Sequence, residues 1–315
     1  MHDFDDIAAQ IVARAREEQS SVISIFGPTG SGKTDIAVRV AAQCGSVVVN
    51  TDPAQCYRGF PILTNQPDPQ HDAIAGHEMI GIWDLATYAT VASFAEHAHR
   101  VIDAARDTSG TAVLCGGSGM YMLAALTELD MGQHHSDHDG AGMRAHLEEE
   151  FDRVGADAFH AQLAELDPSA ASMIHPNDRK RAIRAMDVAR TGGSIASGSI
   201  WDAPQRHATT LVGLQIERSV VHARINARTQ HMFDAGVLDE VAGIVGPGAD
   251  RVDQLSVTAR KIHGLSDCIG ILRDELTLAQ GMEQMATRTR QYAKRQDTWA
   301  RRWPGLQSIM IAPST

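Results

Sequence analysis

The sequence predicts an α/β fold, a parallel sheet flanked by helices and interrupted by a helical insertion. Three observations predict it. Short apolar runs alternate with helix-period stretches up to about residue 130. A glycine-rich turn joins the first apolar run to the first amphipathic stretch. The alternation then stops and resumes near residue 206. Alternating strands and helices imply parallel strands joined by right-handed crossovers. The α/β core is therefore expected in residues 1–130 and 206–315, and the helical insertion in 131–205.

The elements follow in order. Residues 22–26 (VISIF) read as a buried strand and 34–43 as an amphipathic helix. Residues 47–50 form a second strand-like run. Over 94–105, Phe94, Ala98, Val101 and Ala105 share one helical face. Residues 111–115 read as a third strand ending at Gly116-Gly117. Residues 131–142 are polar and rich in His, Asp and Gly, so a loop is expected there. Residues 143–193 read as wholly helical. Asn177 or Asp178 suits the cap of a helix through Ile183, Met186 and Val188, with Gly192-Gly193 as its end. Residues 194–207 look like an irregular return. A strand over 210–216 resumes the pattern, and helices follow over 220–235, 238–245 and 277–303.

Composition narrows the class. At 43% hydrophobic and 21% charged residues, the chain reads as an ordinary globular protein. No apolar run approaches the ~20 residues needed to span a bilayer. The first 21 residues mix acids and bases around no apolar core, so no secretory leader and a cytoplasmic setting are expected. Cys44, Cys56, Cys115 and Cys268 are far apart and form no CxxC pair. That disfavours a disulfide framework or a cysteine zinc site, and buried reduced thiols are expected. The formal net charge of −11, taken alone, disfavours a nucleic-acid partner.

The strongest signal is Gly27-Pro28-Thr29-Gly30-Ser31-Gly32-Lys33-Thr34, which matches GxxxxGK[ST] between a strand and a helix. The glycines let the backbone curl so that N–H groups point inward, and the helix N-terminus adds partial positive charge. Lys33 supplies a full cation, and the Thr34 hydroxyl suits a Mg²⁺ ligand. The fold expected is thus P-loop NTPase-like. The motif specifies a phosphate without specifying the compound or the reaction. Asp52 lies just past the second strand, at the carboxyl edge where open α/β sheets place ligands. A turn or cap carboxylate is the plainer reading of its position. Past the third strand, Gly116-Gly117-Ser118-Gly119 also permits close backbone approach.

These residues carry a resemblance. The P-loop, then Asp52-Pro53-Ala54-Gln55-Cys56-Tyr57-Arg58-Gly59, then Gly116-Gly117-Ser118-Gly119-Met120-Tyr121 resemble the tRNA dimethylallyltransferase family in order and spacing. His175-Pro176-Asn177-Asp178 with Arg181 and Arg184 resembles its HPND-x-x-R-x-x-R segment. Ala286-Thr287-Arg288 through Tyr292-Ala293-Lys294-Arg295-Gln296 and Thr298-Trp299 resembles its ATRxxAKRQxTW signature. The likeness covers about residues 22–305. The sequence departs from the family at Pro53, at Leu63-Thr64-Asn65-Gln66-Pro67, at Phe94-Ala95-Glu96 and at Gly264-Leu265.

The resemblance implies transfer of a dimethylallyl group from dimethylallyl diphosphate to N6 of an adenine beside the tRNA anticodon (A37). Asp52 would be the general base, with Ser118 near the reacting amine. Gly27, Thr29, Gly30, Ser31, Gly32, Lys33 and Thr34 would hold the diphosphate rather than ATP, with Mg²⁺ on Thr34. Arg260 or Lys261 would add a cation. Gln55, Tyr57, Arg58, Thr64, Arg181, Arg184, Arg288, Lys294 and Arg295 would face the anticodon stem-loop, and a monomer is implied.

The charge distribution bears on the RNA reading. Between Arg288 and Arg302 lie six cations against one acid, Asp297. Between a phosphate-binding face and a solvated face over core aromatics, a mixture is expected: Tyr292, Trp299 and Trp303 in the core and some of the cations on RNA or pyrophosphate. His134, His135, Asp137, His138 and Asp139 have metal-ligand chemistry but no organising period, so a solvated loop is the simpler reading. Two other functions stay open: prenylation of free AMP, ADP or ATP, and a P-loop small-molecule kinase.

Overall fold

The computed structural model describes residues 4–128, 139–190 and 203–311. It divides into two compact units, one of residues 1–127 with 205–315 and one of 128–204.

The first unit is built on a six-stranded parallel sheet of order β3-β2-β4-β1-β5-β6. The strands are β1 (Val22–Phe26), β2 (Val48–Asn50), β3 (His77–Glu78), β4 (Ala112–Gly116), β5 (Thr209–Ile216) and β6 (Gln307–Ile311). β1 and β4 are buried along their whole length, as strands covered on both faces require. The register places Phe26 opposite Gly116 and Asn50 opposite Cys115. The chain therefore leaves β1, β2 and β4 at the same sheet edge, and three loops converge there.

Two edge strands escape sequence reading for physical reasons. β3 has only two residues, too few to show a period. β6 has a weak, part-exposed alternation and follows a long helix directly. The N-terminal stretch also folds. It forms α1 (Phe4–Glu17), with Ile7, Ala8, Ile11, Val12 and Ala15 buried, Asp5 and Asp6 in its first turn and Arg14 and Arg16 in its last. Those charges complement the helix dipole. It packs with α2 (Lys33–Cys44) on one face of the sheet. Short helices α3 (Pro61–Thr64) and α4 (Pro69–Ile74) occupy a segment without a readable period.

α5 (Val91–Ser109) begins at a Thr90/Ser93 capping box and ends at Gly110 in the left-handed region. α6 (Gly119–Leu126) follows β4 directly. Cys56, Cys115 and Cys268 are buried free thiols, as expected, whereas Cys44 at the end of α2 is only partly covered.

The second unit is all-helical: α7 (Asp139–Val154), α8 (Ala156–Leu166), α9 (Pro168–Met173) and α10 (Arg179–Arg190). The expected loop over 131–142 is corrected at its end, since α7 already begins at Asp139. The expected continuous helical run is broken at Gly155, Asp167 and the His175–Asp178 turn. Pro168 and a side-chain cap from Asp167 restart the chain as α9. Of the two cap candidates, Asp178 accepts from the Arg181 amide at 3.3 Å. His134, His135, Asp137, His138 and Gly192-Gly193 lie outside the described residues, as does the Asp139 side chain. The unit has its own core of Leu147, Phe151, Phe159, Leu163, Ile183 and Met186.

The chain closes the first unit with α11 (Arg218–Asp234), α12 (Val237–Val245), α13 (Leu265–Leu272) and α14 (Leu278–Arg302). α14 opens with a Thr277/Gln280 capping box, which is why its sequence-read start at 277 holds. No described helix is long and apolar enough to cross a membrane.

The separate core yields a prediction. Phe159 is 0% exposed at the centre of the helical unit. Phe159→Ala should destabilise that unit by about 3–5 kcal/mol. Amide hydrogen exchange should read this as faster opening confined to residues 139–190; unchanged protection there would contradict it.

Candidate active site

Beside the sheet edge where the three loops converge lies a cavity of about 360 Å³ in the first unit, walled by the P-loop, the loop after β2 and residues of α6, α11 and α14. Thr29 of the P-loop and Asp52 from the loop after β2 both line it. The P-loop curls because Gly30 (φ 84) and Gly32 (φ 80) take left-handed backbone that other residues adopt at a cost. Arg224 of α11 donates to the Gly30 carbonyl at 3.0 Å, and the Lys33 ammonium lies 3.5 Å from the Pro28 carbonyl. The Ser31 hydroxyl is buried with no partner among the described residues. Thr34 is the second residue of α2, and its hydroxyl reaches the Cys115 thiol at the end of β4.

Asp52 is fixed by its own turn. Its Oδ1 accepts from the Ala54 amide at 3.0 Å, and Asn50 brackets its backbone on both sides, at 3.0 and 2.9 Å. Burial pushes the Asp52 carboxyl above the usual carboxylate range. The Ala54 amide and the charges of Lys33 and Arg228 act against that shift without cancelling it. Burial likewise lowers Lys33, and the neighbouring Arg228 charge adds to the effect, with Cys115 and Asp52 opposing.

Arg228 itself escaped sequence reading. It sits on α11 and lines the cavity, and burial disfavours its charge while Asp52 favours it. Its sequence signal was weak: Ile225, Arg228, Thr229 and Met232 recur at helical spacing and all line the cavity, but the cation reads as a solvated position. His263 was missed too. It lines the cavity, shares a 2.8 Å hydrogen bond with the Thr289 hydroxyl and stacks on Tyr292 at 6.0 Å. Burial, then the charges of Arg295, Arg288 and Arg228, bring it down to about 4, so it is neutral at physiological pH.

The other expected residues divide. Tyr57, Thr64, Lys261 and Arg295 line the cavity. Tyr57 donates to the Thr87 carbonyl at 3.1 Å and meets the Thr258 hydroxyl at 2.7 Å. Arg295 lies over the Tyr292 ring at 5.5 Å. Ser118 is not a wall of the cavity; its hydroxyl reaches that of Tyr292, which is. Tyr121, on α6, lines the cavity and is pushed up to about 12 by burial. Of the two candidate cations before Gly264, only Lys261 meets the cavity. Arg260 is spent on Asp253 at 3.1 Å and on the carbonyls of Leu255 and Asp253, both at 2.9 Å.

Gln55 donates to the carbonyls of Thr64 and Asn65, at 3.1 and 2.7 Å. Arg58 is exposed and pairs with Asp84 at 3.2 Å. Arg288 meets Asp267 at 3.0 Å, a carboxylate only 1% exposed. Lys294 projects to solvent. In the helical unit, Arg181 pairs with Asp178 at 3.6 Å and Arg184 with Asp187 at 3.5 Å.

Gln296 is another residue that sequence reading left without a role. It is 3% exposed, accepts from the Thr29 amide at 2.9 Å and donates to the Gly117 carbonyl at 2.9 Å. A helical period was its signal, since Tyr292, Gln296 and Trp299 fall on one face of α14.

The raised carboxyl has a consequence for stability. Its folded pKa lies above the unfolded one, so ionised Asp52 destabilises the fold at neutral pH. That penalty fades as pH falls towards the ordinary carboxylate range. Asp52→Asn should therefore melt at a higher temperature than the parent at neutral pH, with the gap closing under acid. Equal melting temperatures across the range would show that the carboxylate is well solvated.

Known proteins share this arrangement of sequence and fold. A family model described as IPP transferase matches residues 55–303. A tRNA dimethylallyltransferase of Streptomyces coelicolor is 34% identical over 283 residues, covering 90% of this chain and 88% of that one. The crystal structure of the full-length tRNA isopentenylpyrophosphate transferase from Bacillus halodurans superposes with a TM-score of 0.65 at 28% identity, covering 92% and 90% of the two chains. A eukaryotic dimethylallyltransferase, solved acting on tRNA, shares the fold with a TM-score of 0.77 at 22% identity over 92% of this chain and 73% of that one. A match running from the loop after β2 to just past the end of α14 settles the kinship: the chain belongs to the IPP transferase family.

Proposed function

We propose that this chain is a tRNA dimethylallyltransferase, moving a dimethylallyl group from dimethylallyl diphosphate to N6 of the adenine next to the anticodon (A37) and releasing diphosphate. One observation carries the reading: a carboxylate and the P-loop face the same cavity, with Lys33 and Arg228 close enough to act on that carboxylate.

The adenine amine is a poor nucleophile because its lone pair is delocalised into the ring. In the transfer, N6 forms a bond to C1 of the allyl group as the C1–O bond breaks, and the electron pair leaves with the diphosphate. Asp52 accepts the N6 proton, and its raised pKa suits a base that must hold it. Lys33 and Arg228, with P-loop amides not engaged elsewhere, would stabilise the charge that gathers on the leaving group. Lys261 and Arg295 add positive charge at the cavity wall. Leu63, Ile225, Met232 and Met285 give that cavity an aliphatic lining suited to a five-carbon tail.

Mg²⁺ fits the same site as a partner of the substrate. Among the described residues no cluster of His, Cys, Asp and Glu could hold a metal alone. The Thr34 hydroxyl, which meets the Cys115 thiol, would offer one oxygen ligand to an ion brought by the diphosphate. Bound there, Mg²⁺ would neutralise diphosphate charge.

A base reacting in this cavity must leave its stack, which single-stranded anticodon loops permit cheaply. Exposed Lys294 and Arg295 are available to phosphates, as are Arg58, Arg181 and Arg184 in exchange for weak surface pairs. We assign the enzyme to the cytoplasm, acting as a monomer.

The deciding experiment offers labelled dimethylallyl diphosphate with either total tRNA or AMP. Label in tRNA is expected. Label only in the nucleotide would move the protein to cytokinin-type chemistry, and ATP turnover without use of the allylic donor would make it a kinase. Asp52→Ala should leave tRNA binding intact and lower the transfer rate by about 10²-fold or more; a near-normal single-turnover rate would remove Asp52 from the role. Lys33→Ala and Arg228→Ala should each raise KM for dimethylallyl diphosphate by about tenfold or more, the scale of one charge-assisted contact. Unchanged donor kinetics would contradict that.

A further inference from the structure

The diphosphate cradle and the loop whose Ser118 the family resemblance sets near the acceptor amine leave neighbouring strands, and Asp52 comes from a third loop, after β2. The P-loop leaves β1, and the Gly116–Ser118 loop leaves β4. The strands are neighbours, and the Gly27 amide donates to the Gly116 carbonyl at 3.3 Å, so the loops start in register. Beyond that bond, no regular structure sets their spacing. Gln296 does, from outside the sheet.

Its amide group has one acceptor end and one donor end, and each is used on a different loop. Oε1 accepts the Thr29 amide and Nε2 donates to the Gly117 carbonyl, both at 2.9 Å. The fit is tight around it. A side chain at Gly117 would strike both Gln296 and the Gly27 carbonyl, and one at Gly119 would strike Trp299, one turn further along α14. Tyr292, one turn earlier, reaches Ser118 and Gln296 with its hydroxyl and lines the cavity. One face of α14 therefore touches the cavity, ties the two loops together and backs the second of them.

We propose that Gln296 is a positioning residue that sets the distance between the diphosphate cradle and the acceptor-side loop. This rests on the prenyl-transfer reading above. Thr29 is the P-loop residue that lines the cavity. Its amide is taken by Gln296, so its side chain is aimed by a bond to α14 rather than by the phosphate. The strut contributes little to the affinity for either substrate. It acts on their alignment, where a displacement of about 1 Å can cost on the order of 100-fold in rate.

Gln296→Met keeps the volume and removes both hydrogen bonds. Gln296→Glu keeps an acceptor for Thr29 but sets a carboxylate against the Gly117 carbonyl. The test is single-turnover prenylation of a tRNA anticodon stem-loop by the full chain at saturating dimethylallyl diphosphate, beside the donor KM and the melting temperature. For both variants the expected result is a rate lowered about tenfold or more, with donor KM within about threefold and full product amplitude. A folding role alone would lower the amplitude and leave the rate of the folded fraction unchanged, which overturns the proposal. A rate within about twofold of the parent in either folded variant, or a loss confined to donor KM, also overturns it. Absence of prenylated RNA with the parent protein would instead sink the reading on which it rests.

Discussion

The constraint on which the rest depends is the burial of opposite charges around one cavity. Lys33, Arg228 and Asp52 are each disfavoured in their charged form by burial. Their mutual attraction offsets part of that cost, and the carboxyl remains raised. A ligand bringing several negative charges and leaving room for a polar nucleophile satisfies such a site, and the fold serves to hold it. The parallel sheet places three loops at one edge, α11 delivers Arg228, and α14 fixes the loops from behind.

Much of this was legible in the sequence, for particular reasons. The P-loop is a local motif whose context, strand then helix, is also local. Asp52 and Gly116–Ser118 follow strands, and strand ends in an open sheet share an edge. Arg228 and Gln296 were not legible in that way. Each lies on a helix far along the chain, and its role comes from a contact 267 residues away, in the case of Thr29 and Gln296. Periodicity shows that Gln296 shares a face with Tyr292 and Trp299, and only the fold shows what that face meets. β3 and β6 were missed because short edge strands carry little pattern.

Counting cations misleads in the same region. Six bases over Arg288–Arg302 suggest an RNA-facing helix, yet they do not act alike. Arg288 lies 3.0 Å from the buried Asp267 and offsets part of the burial that raises its carboxyl, and Arg290 pairs with Glu283 at 2.6 Å. Losing Arg288 would leave a nearly inaccessible carboxylate unpaired, a cost far above that of a surface pair. Arg260, one of the two candidates for the added cation, ties its own turn together. Lys294, Arg295, Arg301 and Arg302 stay exposed, and of these Arg295 lines the cavity. In an acidic chain, then, the number of bases in a segment does not tell how many are presented to a polyanion.

The charge arrangement also bears on the order of events in the proposed reaction. Lys33 and Arg228 both hold the Asp52 carboxyl lower than burial alone would. A bound diphosphate would engage those same two cations and bring negative charge close to Asp52. Both effects favour the protonated carboxyl, so the pKa of the base would climb on donor binding. A carboxylate whose pKa climbs in this way takes a proton more readily than it would in the empty site. Donor binding would then strengthen the base at the moment the acceptor amine needs it, and the same two cations would serve the leaving group and tune the base.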